Sequence, residues 1–133
     1  MPANPTFSDT LDGTDQTATF APILGVVDAR GSGAGWNLTV SATSFSDGAG
    51  HTLAPGTITA ASAACKAGTS CTAATNAITY PLTVRAAAKF FNAAANTGLG
   101  KIDVTPTFSG SIPGNSYAGT YTSTVTLAAA TGP

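Results

Sequence analysis

From Trp36 to Thr43 the chain reads Trp-Asn-Leu-Thr-Val-Ser-Ala-Thr, with apolar and polar residues in strict alternation. Successive side chains of an extended strand point to opposite faces, so Trp36, Leu38, Val40 and Ala42 share one face and the polar residues share the other. A helix would scatter the same residues around its circumference, so the segment is specified as a half-buried strand. The same rule recurs at the C-terminal end. There Tyr121, Val125, Leu127 and Ala129 are expected to face inward, and Thr120, Thr122, Thr124 and Thr126 outward. Ile78, Tyr80, Leu82 and Val84 alternate with Thr79, Pro81, Thr83 and Arg85. Pro81 has no N–H for a ladder, which places that strand at an edge or at a bulge. Ile102, Val104 and Phe108 alternate with Lys101, Asp103 and Thr107, and Pro106 interrupts the inner face. Thr17 to Val27 is more evenly apolar and reads as a stretch buried on both sides.

Turn formers separate these runs: GSGAG at 31–35, SDGAG at 46–50, APG at 54–56, NTGLG at 96–100 and IPGN at 112–115. One-sided strands at this spacing predict an all-β chain, an antiparallel β-sandwich of Ig-like or jelly-roll-like form, with at most one short helix. The helix candidate is Arg85 to Ala95, RAAAKFFNAAA; alanine favours a helix, and the segment equally fits a strand. The chain has 133 residues, 43 % hydrophobic but rich in alanine, so one domain over 1–133 with a thin core is expected. Charged residues are only 8 % and glutamate is absent, which argues against helical bundles. No internal repeat or domain boundary stands out.

A net charge of −1 without a basic stripe gives nucleic acid no electrostatic footprint. No run of eighteen or more apolar residues is present, so membrane insertion by a helix is not expected. The start, MPANPTFSDT, lacks the basic and apolar regions of a signal peptide, so either a signal has been trimmed, the favoured alternative, or the chain is not a secreted one. Cys65 and Cys71, in AACKAGTSC, can close a small disulfide loop, which implies an oxidising compartment. The competing reading is a pair of free thiols. A metal site has too few ligands in two sulfurs and one histidine.

The chemistry-bearing patterns are sparse. GSGAG lacks the GK[ST] ending of a phosphate loop and runs into a strand, so a flexible turn is expected. His51, the single histidine, has no nucleophile motif nearby and reads as a solvated loop residue. Scattered aspartates give paired-carboxylate chemistry little support. Asp9, Asp12 and Asp15 in SDTLDGTDQT form the one acidic cluster and a weak calcium candidate; the spacing is not that of an EF-hand. Asp28 and Arg30 lie on the same side of a strand and are expected to pair, fixing the strand end before the glycine loop. No cofactor is implied.

The stretch Asp28-Ala29-Arg30-Gly31-Ser32-Gly33-Ala34-Gly35-Trp36-Asn37-Leu38-Thr39-Val40-Ser41-Ala42 resembles the first signature of the WxL domain, D-x-R-G-x-G-x-G-W-x-L-T-V, with Trp36-Asn37-Leu38 as the W-x-L. The family's second motif, a tyrosine followed by W-T-L and a near-terminal proline, is matched in frame by Tyr121 to Leu127 and Pro133, with Val125 where the tryptophan would stand. Gly98-Leu99-Gly100 is similar to the family's G-x-G stretch. The Cys65–Cys71 loop is not part of the pattern. The resemblance implies an extracellular β-sandwich-like domain on Gram-positive surfaces, attached non-covalently to peptidoglycan or to companion surface proteins. It makes Trp36, Leu38, Asp28 and Arg30 the candidate binding residues, against core packing for Trp36, which begins an inward-facing row.

The function expected is therefore a non-catalytic cell-surface attachment module, with cell-wall polymer or other surface proteins as partners and the cell wall as its location. The rival is a structural subunit of an extracellular fibre or surface layer, self-associating by strand pairing between copies. A small secreted enzyme is the remaining class.

Overall fold

The computed structural model describes residues 3–133. Ten strands are present: β1 (Gln16–Phe20), β2 (Leu24–Asp28), β3 (Trp36–Ala42), β4 (Phe45–Ser46), β5 (Thr52–Leu53), β6 (Thr57–Cys65), β7 (Leu82–Thr83), β8 (Ala88–Ala93), β9 (Gly100–Ile112) and β10 (Val125–Thr131). All pairings are antiparallel. The first sheet is built on β9, which pairs with β6 along one edge and with both β1 and β2 along the other, while β7 lies outside β6. The second sheet has the order β10-β3-β8, and β4 and β5 form a separate hairpin. The turn-forming runs at 31–35, 46–50, 54–56, 96–100 and 112–115 all lie between strands or overlap a strand by one terminal residue. The result is an all-β sandwich with no helix among the described residues.

The two sheets enclose one cluster. Trp36, Leu38 and Val40 of β3 and Phe90, Phe91 and Ala93 of β8 meet Ile58, Val84, Ile102, Val104 and Phe108. Phe20 stacks on Phe108 with ring centroids 4.8 Å apart, and Trp36 on Phe91 at 5.7 Å. The alternation on β3 holds on its inner face. Its other face is not solvated: Asn37 is buried, and its amide donates to the Gly132 carbonyl at 2.7 Å. Beside it Asn92 is covered by the segment at 76–77, accepting from Ala77 N at 2.8 Å and donating its own N–H to Asn76 Oδ1 at 3.0 Å.

Several expectations are corrected. Arg85 to Ala95 contains β8, not a helix. Leu38 pairs with Phe91 and Thr39 with Lys89, so Phe90 is an extra residue in a bulge, and two consecutive phenylalanines are both buried. Burial of two aromatics outweighs alanine's helical preference. Thr17 to Val27 is not one strand buried on both sides but β1 and β2, each half-buried in alternation, with Ile23 and Val27 well exposed. Both follow one continuous register on β9; where it would set Pro22 against Pro106, neither residue has an N–H and the ladder lapses. Pro106 itself is fully buried on the inner face. Ile78, Tyr80, Leu82 and Val84 do face inward, but only Leu82–Thr83 is strand, at the sheet edge beyond the cis Tyr80–Pro81 bond. In β10, Leu127 packs against the core, whereas Val125 is 41 % exposed and Ala129 is exposed. β10 has β3 on one side and, among the described residues, no strand on the other, and only its middle is covered.

Candidate functional site

The segment 28–36 leaves β2 and enters β3 through three glycines, Gly31, Gly33 and Gly35, all with φ between 65° and 72°. At Gly35 a side chain would also collide with the Ala93 carbonyl. Around this loop Arg30 forms the hub of a hydrogen-bond network. Its Nε and Nη2 donate to the two Asp28 carboxylate oxygens at 2.8 and 2.9 Å, a bidentate pair. Nη2 also donates to the Gly35 carbonyl at 2.9 Å, and Nη1 to Thr131 Oγ1 at 2.8 Å. Asp28's side chain is 2 % exposed and Arg30's 39 %. The Arg30 hydrogen bonds hold the Asp28 carboxyl below the usual carboxylate range and raise Arg30 in turn. Next in line, Trp36 is 4 % exposed and its Nε1 donates to the Gly98 carbonyl at 2.9 Å. Gly33 O accepts from Asn96 N at 2.8 Å. One guanidinium, one indole and the glycine loop thus join β2, β3, β10 and the 96–100 turn.

The expected Asp28–Arg30 pair is present. Of the four candidate binding residues, Trp36, Leu38 and Asp28 are buried, and Arg30 alone reaches the surface. Trp36 packs in the core; with 4 % of its surface exposed, no ring face is open for a sugar. Cys65 and Cys71 are disulfide-bonded, with Cα atoms 5.5 Å apart, and close an exposed loop at the end of β6. The three aspartates of the calcium candidate do not converge. Asp12 accepts from Thr14 N and Oγ1, Asp9 from Thr10 N, and Asp15 from Gly114 N, 2.8 Å away just after the end of β9. Among the described residues no three His, Cys, Asp or Glu side chains are placed to share an ion.

Two surface features escape the sequence reading. A cleft of about 500 Å³ opens between β2 and β10, lined by Leu24, Val26, Leu38, Phe90 and Leu127. Along its length β2 and β10 are the unpaired edges of their sheets. The second feature is at the β4–β5 hairpin. His51 is not simply solvated: its Nδ1 meets Asp47 Oδ2 at 2.5 Å, and its ring stacks on Tyr117 with centroids 4.1 Å apart. The hydrogen bond from His51 holds the Asp47 carboxyl below its usual range. Asp47 and His51 lie four residues apart around a glycine turn, which was a legible signal; the contact with Tyr117, far along the chain, was not.

The chain belongs to the WxL domain family: the family model described as "WxL domain surface cell wall-binding" matches residues 3–128, nearly the whole chain. Neither a curated protein nor a solved structure gives a match. Among the described residues no helix is long and apolar enough to cross a membrane.

Proposed function

We propose that this chain is a non-catalytic attachment module that works outside the cell, binding cell-wall peptidoglycan or glycan, or surface proteins held there. The observation that carries the reading is the match to a surface, wall-binding family over residues 3–128. The surface chemistry is in keeping with it. A chain with 8 % charged residues and net charge −1 meets neutral polymer with little charge to desolvate. The experiment is co-sedimentation of the purified chain with isolated cell walls, before and after removal of their anionic polymers. Binding that survives the removal is expected; failure to sediment with either preparation overturns the reading.

A second reading, a fibre or surface-layer subunit, is favoured by one observation. Neither β2 (LGVVD) nor β10 (VTLAAAT) carries a lysine, an arginine or a proline to blunt its open edge, and the apolar cleft lies between them. Sedimentation velocity across a wide concentration range tests it. Growing oligomers that Val27→Lys abolishes would support the fibre reading, and a monomer throughout would refute it.

A further inference from the structure

The geometry points to a binding subsite for an uncharged pyranose ring on the exposed face of Tyr117, with His51, Asp47 and Tyr121 as its supports. This rests on the wall-attachment reading and names the ligand class and the surface it uses. Tyr117 is 66 % exposed, the largest exposure among the large apolar and aromatic side chains of the described residues. One face of its ring is covered by His51, with an interplanar angle of 19°, so the opposite face is the one that looks outward.

An exposed aromatic alone means little, but this one is held from below. Asp47 Oδ1 accepts from Ala49 N at 2.8 Å and from His51 N at 3.0 Å, and Oδ2 takes His51 Nδ1, so the imidazole is fixed in plane. Tyr121 Oη donates to the Tyr117 carbonyl at 3.0 Å. Upstream, the loop is closed by Ser116, whose N and Oγ both donate to the Pro113 carbonyl, at 2.9 and 2.6 Å. Thr122 and Ser46 exchange backbone hydrogen bonds, locking this loop to the hairpin. A platform ordered before the ligand arrives loses little freedom on binding.

The chemistry selects the ligand. An aromatic face stacks on the apolar C–H face of a sugar ring, whose hydroxyls stay in water. With Nδ1 turned to Asp47, the His51 ring is held flat against the covered face of Tyr117 and keeps the open face presented to the ligand. The Asp47 carboxylate beneath the ring disfavours phosphate-rich or otherwise anionic polymer at the same place. The neutral glycan strand, not an anionic wall polymer, is therefore the fitting occupant.

The test titrates a tetrasaccharide of β-1,4-linked N-acetylglucosamine into the isotope-labelled chain, followed by NMR, alongside sedimentation with purified walls. Amide shifts around 47–51 and 115–121 are expected. Tyr117→Ala should weaken binding about tenfold with an unchanged melting temperature, and Tyr117→Phe should bind within about twofold of the parent. Binding equally strong in Tyr117→Ala overturns the subsite. A parent chain that sediments with walls yet shows no response to the tetrasaccharide also overturns it, and leaves the attachment reading standing. A chain that binds the tetrasaccharide through Tyr117 but ignores walls upholds the subsite and sinks the attachment reading instead.

Discussion

The indole of Trp36 lies against Gly98 so closely that a Cβ built on the glycine would stand 2.6 Å from the indole nitrogen, the same nitrogen that donates to the Gly98 carbonyl. The W-x-L signature and the G-x-G stretch are thus two halves of one contact, joining the start of β3 to the turn before β9.

Gly98→Ala is therefore expected to destabilise by about 3 kcal/mol, the sum of a left-handed backbone and a collision with Trp36 and Ala93. Gly48 has a similar φ of +75° against +70° at Gly98, but open space around it. Gly48→Ala should cost only about 1 kcal/mol. Paired denaturant melts separate the two causes, and equal losses would show that the indole contact contributes nothing. Trp36→Ala should lose about 3–5 kcal/mol, as other large-to-small changes in a core do.

Acid should loosen the frame around Arg30 and the hairpin of His51. Asp28 and Asp47 titrate below the ordinary aspartate value of 3.8, Asp28 through its hydrogen bond from Arg30 and Asp47 through that from His51. The folded state then binds fewer protons than the unfolded one, so their stabilisation is complete above the ordinary value. It is lost as pH falls from there through the lowered folded values. Melting temperatures of the parent and of Asp28→Asn, measured against pH, should differ at neutral pH and converge in strong acid. A constant difference at every pH would refute the linkage.

Reducing the Cys65–Cys71 disulfide should lower stability by about 2 kcal/mol, since the loop it closes is short and exposed. Alkylation of the unreduced chain should find no thiol, and the reduced chain should keep its far-ultraviolet spectrum. Global unfolding on reduction would mean that the loop anchors far more than the end of β6.

Truncation before Tyr121 should unfold the domain. It removes all seven β10–β3 pairs, the Leu127 contact with the core, and the Arg30–Thr131 and Asn37–Gly132 bonds. Those losses exceed the several kcal/mol by which small domains are stable. A truncated chain that still melts cooperatively would contradict this. Recovery on adding a peptide spanning Thr120 to Ala129 would show that the strand can be supplied by another molecule.

The β3 strand and the turns were legible because bulky residues alternate cleanly and glycines mark the ends. β8 was not, because its bulge sets Phe90 and Phe91 inward together and breaks the period of two. In β10 the alternation was visible, but Val125 is exposed since burial there depends on a second neighbour that the sheet lacks. The frame was half legible: Asp28 and Arg30 announce their pairing from two positions apart, whereas Thr131 and Gly98 join it only through the fold. Tyr117 carries no local mark at all, and its stack with His51 exists only once the loop after β9 has folded over the hairpin.

The facing prolines between β1 and β2 bear on how the first sheet finds its alignment. β9 is thirteen residues long, and a strand of that length has several ways to slide against its neighbours. In the observed alignment the donor missing at Pro22 and the donor missing at Pro106 fall at a single site, so the two deficits share one gap. Any slip of β9 along that edge separates them and leaves two gaps instead of one. The same two donors are missing in any register, but here their loss is confined to one rung, and the pairs on either side of it, Phe20 with Phe108 and Leu24 with Val104, stay whole.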